Sequence, residues 1–174
     1  MIVMSCFIPY ASLQEGIELA SENALQLKES AELLFKGKKY LLSASISILG
    51  FEEIAKAEFL LGYYKRKENV SESEWENFTR GRGVHRKKLE AYLSRERTYS
   101  RMTTSENPRL RELIARMTNY FQSIKESVFY VNWTRNEGWR WSPRDYPRFY
   151  QRQLAHAYLE GLKERCLRMR AASR

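Results

Sequence analysis

The chain is poor in the residues that build metal sites, disulfides and tight turns. Its 174 residues include only two cysteines, two histidines and four prolines. Cys6 and Cys166 stand towards opposite ends and lack the CxxC spacing of a zinc site, so the sequence favours neither a disulfide nor a structural metal. We therefore expect a protein that works without a metal and without a cofactor.

Long apolar runs are missing as well. No segment approaches the roughly 20 consecutive apolar residues of a membrane-spanning helix, and residues 1–11 lack the basic start and apolar centre of a signal peptide. We expect a cytoplasmic protein without membrane contact. The length, with 43% hydrophobic residues, fits a single domain over 1–174 with its core over about 12–170.

Acidic residues are outnumbered by basic ones. The 30 lysines and arginines face 21 acidic residues, which gives a formal charge of +9. The excess is concentrated between Arg80 and Arg101, whereas Glu15 to Glu32 is acidic. Such a basic segment is typical of a protein with an anionic partner, nucleic acid first. Ordinary solvated charge explains the composition equally well.

Apolar residues recur at helical spacing along most of the chain. Capping-box patterns at Ser12–Glu15 and Ser71–Glu74 mark two helix starts, and Gly37 marks a helix end. Further periodic stretches predict helices over about 39–67, from about 109 and from 147. No strand pattern competes with the helices, so the sequence predicts an all-α bundle of about five helices.

The segment 132–147 interrupts this periodicity. It holds three tryptophans and two prolines, a composition typical of an ordered loop packed by its own aromatic rings. Stacking on nucleic-acid bases is the alternative role of these aromatics, but a hydrophobic lid is the commoner one. The predicted bundle therefore has an aromatic-rich loop before its last helix.

Three charged residues interrupt the otherwise apolar second helix. At about 100° per residue, Glu52 and Lys56 fall on the apolar stripe, so both are expected to face a packed neighbour. Their i,i+4 spacing predicts an ion pair, and Glu53 reaches the same ammonium at i,i+3. Antiparallel packing on the first helix places Asn23 opposite Glu52, as a donor to its carboxylate. The trio is either a structural ion pair or a polar centre that orients a nearby site.

His85 is the best candidate for chemistry. It ends the Gly-loosened stretch Arg80-Gly-Arg-Gly-Val-His85. Histidine can move a proton from a ribose 2′-hydroxyl, and an arginine such as Arg80 can bind the phosphate. These two residue types suffice for RNA cleavage without a metal.

The residues around His85 predict an RNA-binding surface. It comprises Arg82, Arg86, Lys87 and Lys88, whose charge would attract the phosphate backbone. A capping or packing role for His85 is the alternative. His156, with Arg152 four residues earlier on the last helix, is the rival functional histidine.

The order of several blocks resembles the AbiV family of abortive-infection proteins, small all-α members of the HEPN superfamily. Phe51-Glu-Glu-Ile-Ala-Lys-Ala57 is similar to the family's Glu-Glu-x-x-Lys-Ala signature, and Val84-His-Arg-Lys-Lys-Leu89 to its His-x-x-Lys block. Ala20–Ala31 before Gly37 resembles the first helix. The likeness spans about 12–147.

The chain departs from the family pattern at three positions. Ala55 stands where a glycine is usual, Lys125 where an arginine is common, and Asn132 where an aspartate is found. The stretch Ser127–Trp133 around the last of these is otherwise similar to the family's Tyr-Val-Asp segment.

The resemblance implies a HEPN-like bundle, commonly a homodimer, that acts in defence against phage or as a toxin-like effector. Many HEPN proteins are metal-independent RNases with an Arg-x4-6-His motif near the dimer interface, which Arg80 and His85 match. The helix-two acid of such sites corresponds to Glu52 or Glu53. Other members have lost catalysis and serve as binding domains.

The sequence therefore predicts a protein that acts on RNA, either as a metal-independent endoribonuclease or as a non-catalytic RNA- or protein-binding module. Its expected partners are RNA, a second copy of the chain, and a phage or host protein.

Overall fold

The computed structural model describes residues 8–79, 84–94, 108–129, 132–134, 138–140 and 147–172. Across these ranges the chain forms six helices and one short hairpin. The helices are α1 (Tyr10–Lys36), α2 (Tyr40–Arg66), α3 (Glu72–Thr79), α4 (Val84–Ser94), α5 (Pro108–Phe129) and α6 (Arg148–Ala172). The predicted all-α bundle is confirmed.

The sequence has no strand pattern, yet the aromatic segment that was predicted as an ordered loop holds two short strands. Within the aromatic segment, β1 (Asn132–Thr134) pairs antiparallel with β2 (Gly138–Arg140), with Trp133 opposite Trp139. Aromatic residues suit a pleated surface, and a pair of strands of three residues each is too short to produce an alternating pattern that stands out in the sequence.

Helices α1 and α2 form an antiparallel hairpin. Gly37 caps α1, and its N–H donates to the carbonyl of Leu33. The predicted start at Ser12 was wrong, because α1 begins at Tyr10 and the Tyr10 N–H donates to the Asn69 side chain at 2.8 Å. A distant residue thus supplies the cap. The Ser71 capping box is confirmed by reciprocal bonds with Glu74 before α3.

The open end of this hairpin is tied by backbone hydrogen bonds. Ile8 and Val70 exchange two of them, at 2.9 and 3.0 Å, in an isolated antiparallel bridge. Val70 is fully buried. The segments before α1 and after α2 are therefore held side by side.

Helix α2 is the central element, with contacts to α1, α4, α5 and α6. Gly50 lets α6 approach closely, since a Cβ there would lie 2.5 Å from Leu162 Cδ2. Phe51 stacks on Tyr92 of α4 at 4.3 Å and on Phe121 of α5 at 5.9 Å, measured between ring centroids. The core around Phe51 thus fixes α4 and α5 on the same side of α2.

None of the helices within the described ranges combines the length and the apolar character that crossing a membrane requires.

Candidate active site

Glu52 lies at the point where α2 meets α4 and α5. Glu52 is 3% exposed. Its two carboxylate oxygens contact side chains of different helices. Oε1 accepts a hydrogen bond from Lys125 Nζ of α5 at 2.7 Å, and Oε2 lies 2.5 Å from His85 Nδ1 of α4. A buried carboxylate is tolerated when charged and hydrogen-bonded partners surround it. Glu52 therefore joins three helices through charge.

His85 stands in the first turn of α4, and its side chain is 51% exposed. An ionised carboxylate only accepts hydrogen bonds, so the short contact with Glu52 assigns a proton to Nδ1. The opposite ring nitrogen, Nε2, is then left for another partner. A half-exposed imidazole oriented by a buried carboxylate is the arrangement that general acid–base catalysis uses.

Lys125 was noted in the sequence only as a departure from the family pattern, and its place at the site was missed. It is 7% exposed and lies on the buried face of α5. The available signal was its spacing: Phe121, Lys125 and Val128 recur at helical steps of four and three, so a lysine sits among core residues. A buried ammonium needs an acid, and the partner lies 73 residues away in sequence.

The predicted ion pair between Glu52 and Lys56 was wrong. Lys56 Nζ donates to both oxygens of the neighbouring Glu53, at 2.8 and 2.7 Å. The i,i+3 contact is the one that forms, because Glu52 turns towards α4 and α5 and both of its oxygens are bonded there. The Glu53–Lys56 pair is only partly buried.

The predicted donation from Asn23 to Glu52 was also wrong. Asn23 is exposed and lines a cavity of about 350 Å³ together with Glu53 and Lys56. Asn23 therefore faces the side of α2 that carries the Glu53–Lys56 pair and not the side that carries Glu52.

Lys88 lies on α4 three residues after His85, on the same side of the helix. It is 7% exposed, which corrects its prediction as a surface RNA-binding residue. Burial lowers the pKa of Lys88, and the nearby cations Lys56 and Lys125 lower it further. We call Glu52, Glu53, Lys56, His85, Lys88 and Lys125 the Glu52 centre.

The other predicted RNA-binding residues divide into two groups. Arg86 and Lys87 are exposed beside His85. Arg86 Nε donates to Glu90 at 2.8 Å, and Lys87 Nζ donates to the Asn77 carbonyl at 2.9 Å. Arg80 and Arg82 lie outside the described residues, so the phosphate contact assigned to them stays a prediction.

The rival histidine, His156, stands on α6 in a different environment. It is exposed, and its ring packs edge-to-face on Phe35 of α1 at 6.0 Å between centroids. The structure brings His85, and not His156, to Glu52.

A second buried charge cluster, which sequence reasoning also missed, joins α2, α4 and α6. Arg165 is 5% exposed. Its guanidinium lies 3.5 Å from Glu58 Oε1, donates to the Tyr92 carbonyl at 3.1 Å and covers the Tyr92 ring. We call these three residues the Arg165 centre.

Within the described part of the chain, histidine, cysteine and acidic residues do not gather in groups of three or more that could hold a metal ion.

The family HEPN_AbiV, described as AbiV, matches residues 12–157, which is more than half of the chain. No curated protein and no solved structure matches.

Proposed function

The chain belongs to the AbiV family of HEPN proteins, and from this we propose that it is a phage-defence protein that cleaves RNA without a metal ion. Family membership supports a role in abortive infection. The proposal of catalysis is carried by one observation, the contact between His85 Nδ1 and the buried Glu52 carboxylate.

This contact prepares His85 for proton transfer. With Nδ1 donating to Glu52, Nε2 of the neutral ring has a free lone pair and acts as a base. Nε2 takes the proton of a ribose 2′-hydroxyl, and the resulting oxygen attacks the adjacent phosphorus. The bond from phosphorus to the 5′ oxygen breaks, and that oxygen takes a proton from solvent. The products are a 2′,3′-cyclic phosphate and a 5′-hydroxyl end.

The charge around His85 supports an anionic substrate. The Glu52 centre holds three lysines, Lys56, Lys88 and Lys125, against two glutamates. Lys87 adds exposed positive charge on the same helix as His85, and the exposed Arg86 is paired with Glu90. A net positive site of this kind attracts the phosphate backbone and stabilises charge that develops during cleavage.

The assembly and surroundings follow from the family resemblance. We propose a cytoplasmic homodimer, with Arg80 binding the scissile phosphate and Arg82 a neighbouring one. A phage or host protein is a further proposed partner. Light scattering after size-exclusion chromatography tests the dimer, since a monomer at working concentration would contradict it.

The cleavage assay compares the native protein with His85→Ala and, as a matched control, His156→Ala. Each is incubated with a defined single-stranded RNA in excess EDTA, and the product ends are identified. We expect cyclic-phosphate ends from the native protein and the control, and a loss of at least about 100-fold in His85→Ala. Equal activity in all three proteins, or none in the native one, would refute the assignment.

The exposed Arg86 and Lys87 also fit a second function, a non-catalytic RNA- or protein-binding module. RNA that is retained but never cut, with binding lost in an Arg86→Glu/Lys87→Glu variant, would support that function. Binding of a phage or host protein by the same surface would support the protein-directed form of it.

A further inference from the structure

Lys125 meets Glu52 from the side opposite His85, so that one carboxylate bridges a buried ammonium and a half-exposed imidazole. We propose that Lys125 is a positioning residue that sets the proton state of His85. By holding Glu52 ionised and fixed, it keeps the imidazole neutral with its proton on Nδ1. The benefit of this for RNA cleavage rests on the function proposed above.

The geometry leaves Glu52 little freedom. The residue is 3% exposed, Lys125 is 7% exposed, and the two distances are 2.7 and 2.5 Å. A carboxylate with one oxygen bonded to an ammonium cannot rotate without breaking that bond. The second oxygen is therefore held where it accepts the proton of His85 Nδ1.

The charges around the imidazole decide whether it stays neutral. From α2, the carboxylate of Glu52 favours a second proton on His85, while the Glu53 carboxylate is paired with Lys56. From α5, the ammonium of Lys125 offsets the charge of Glu52. Removal of Lys125 leaves Glu52 uncompensated, and His85 should then take up a proton.

The readout follows from the small number of histidines, since the chain has only two. Long-range ¹⁵N–¹H spectra distinguish an Nδ1–H ring, an Nε2–H ring and an imidazolium by their nitrogen shifts. His156, which packs on Phe35, is an internal reference. The measurement uses the full chain without RNA at a fixed pH of about 7.5, above the ordinary titration range of histidine.

We expect the native protein to show the Nδ1–H pattern for His85. Lys125→Met should move the His85 signals towards the imidazolium pattern and leave those of His156 unchanged. Lys125→Arg keeps the charge and should restore the native pattern. Lys163→Met, which removes a lysine that bonds to Glu160 on α6, is the matched control and should change nothing at His85.

If Lys125→Met does not fold, the double variant Glu52→Gln/Lys125→Gln replaces both charges by amides. An amide both donates and accepts hydrogen bonds, so we expect a mixture of His85 tautomers. A native His85 in the Nε2–H or imidazolium form would overturn the proposal. So would a folded Lys125→Met, or the double variant, that keeps the native Nδ1–H pattern.

The result separates this inference from the proposed function, because no RNA is present. An inactive native protein with the Nδ1–H pattern would refute RNA cleavage and leave the role of Lys125 at His85 intact. An active protein with another ring form would do the reverse. In an active protein, Lys125→Arg should also recover the pH–rate profile that Lys125→Met changes.

Discussion

Two buried charge clusters each include a glutamate of α2, but they differ in their access to solvent. Glu52 and Glu58 both belong to α2, and each forms an ion pair with a cation from a helix that is distant in sequence. The Glu52 centre reaches solvent through His85, whose side chain is half exposed. In the Arg165 centre, the cation donates to the Tyr92 carbonyl and covers the ring of the same residue.

This difference in solvent access indicates which of the two buried charges takes part in chemistry. The Arg165 guanidinium contacts the backbone and the ring of Tyr92 inside the fold, and these contacts hold α6 against α4. The Glu52 carboxylate contacts the imidazole of His85, which a ligand can reach. Burial of charge alone is usually structural, and the accessible partner is what indicates function.

The largest loss of stability is expected from Lys125→Met. It leaves the Glu52 carboxylate in the core without its ammonium, and breaking a buried pair in this way costs about 3–5 kcal/mol. Urea unfolding of the native protein and the variant measures the free energy of unfolding. The control Lys163→Met removes a partly exposed lysine that pairs with Glu160 and Glu32, and it should cost about 1 kcal/mol or less. A Lys125→Met transition that coincides with the native one would show that Glu52 is not buried with this lysine.

Arg165→Met should cost less, about 1.5–3 kcal/mol, the range for hydrogen bonds to a charged group. Methionine fills part of the space, and the side chain of Glu58 keeps 14% exposure to water. The same urea titration gives the value. RNA cleavage by the variant should be unchanged, since α6 does not contribute to the Glu52 centre. Lost cleavage in a folded Arg165→Met protein would erase the distinction between the two clusters.

His85→Gln should destabilise the protein by about 1 kcal/mol or less, because the His85 side chain is half exposed and solvent screens its contact with Glu52. Cleavage should nevertheless fall by at least about 100-fold. Thermal melts and RNA product analysis on one preparation test both statements. A destabilisation as large as that of Lys125→Met would make His85 a structural residue.

The smallest effect concerns pH. Burial lowers the pKa of Lys88 from its ordinary 10.5, so the unfolded chain binds the proton more tightly than the folded one. Stability from this residue is therefore greatest above pH 10.5 and falls as the pH drops through the lowered folded pKa. Between those limits, the native protein should gain stability with rising pH relative to Lys88→Met. Parallel pH–stability curves would mean that Lys88 is solvated.

The helices were predictable because apolar periodicity records which face each helix buries. The burial of Glu52 followed from the same periodicity. Its partners did not, because Lys125 and His85 belong to helices whose packing on α2 depends on contacts far apart in sequence. A local i,i+4 partner, Lys56, was the nearest cation that sequence spacing offered, and side-chain direction decided against it.

The start of α1 shows the same limit on a smaller scale. The Ser12 pattern is a sound local signal, yet the helix extends to Tyr10 because Asn69, from beyond α2, caps it. Where the cap was local, as at Ser71 and Glu74, the sequence located the helix start correctly. Sequence patterns therefore located what neighbours in the chain determine, and missed what folding brings together.

The bridge between Ile8 and Val70 closes the α1–α2 hairpin early in the chain. Contacts that are close in sequence form fastest, and during synthesis the N-terminal part of a chain folds first. On the ribosome, this hairpin can therefore form before α5 has emerged. Glu52 lacks its ammonium partner until Lys125, 73 residues later in the sequence, has been translated. The order of translation thus keeps the Glu52 centre incomplete until α5 has been made, so a chain that ends before α5 has no assembled site.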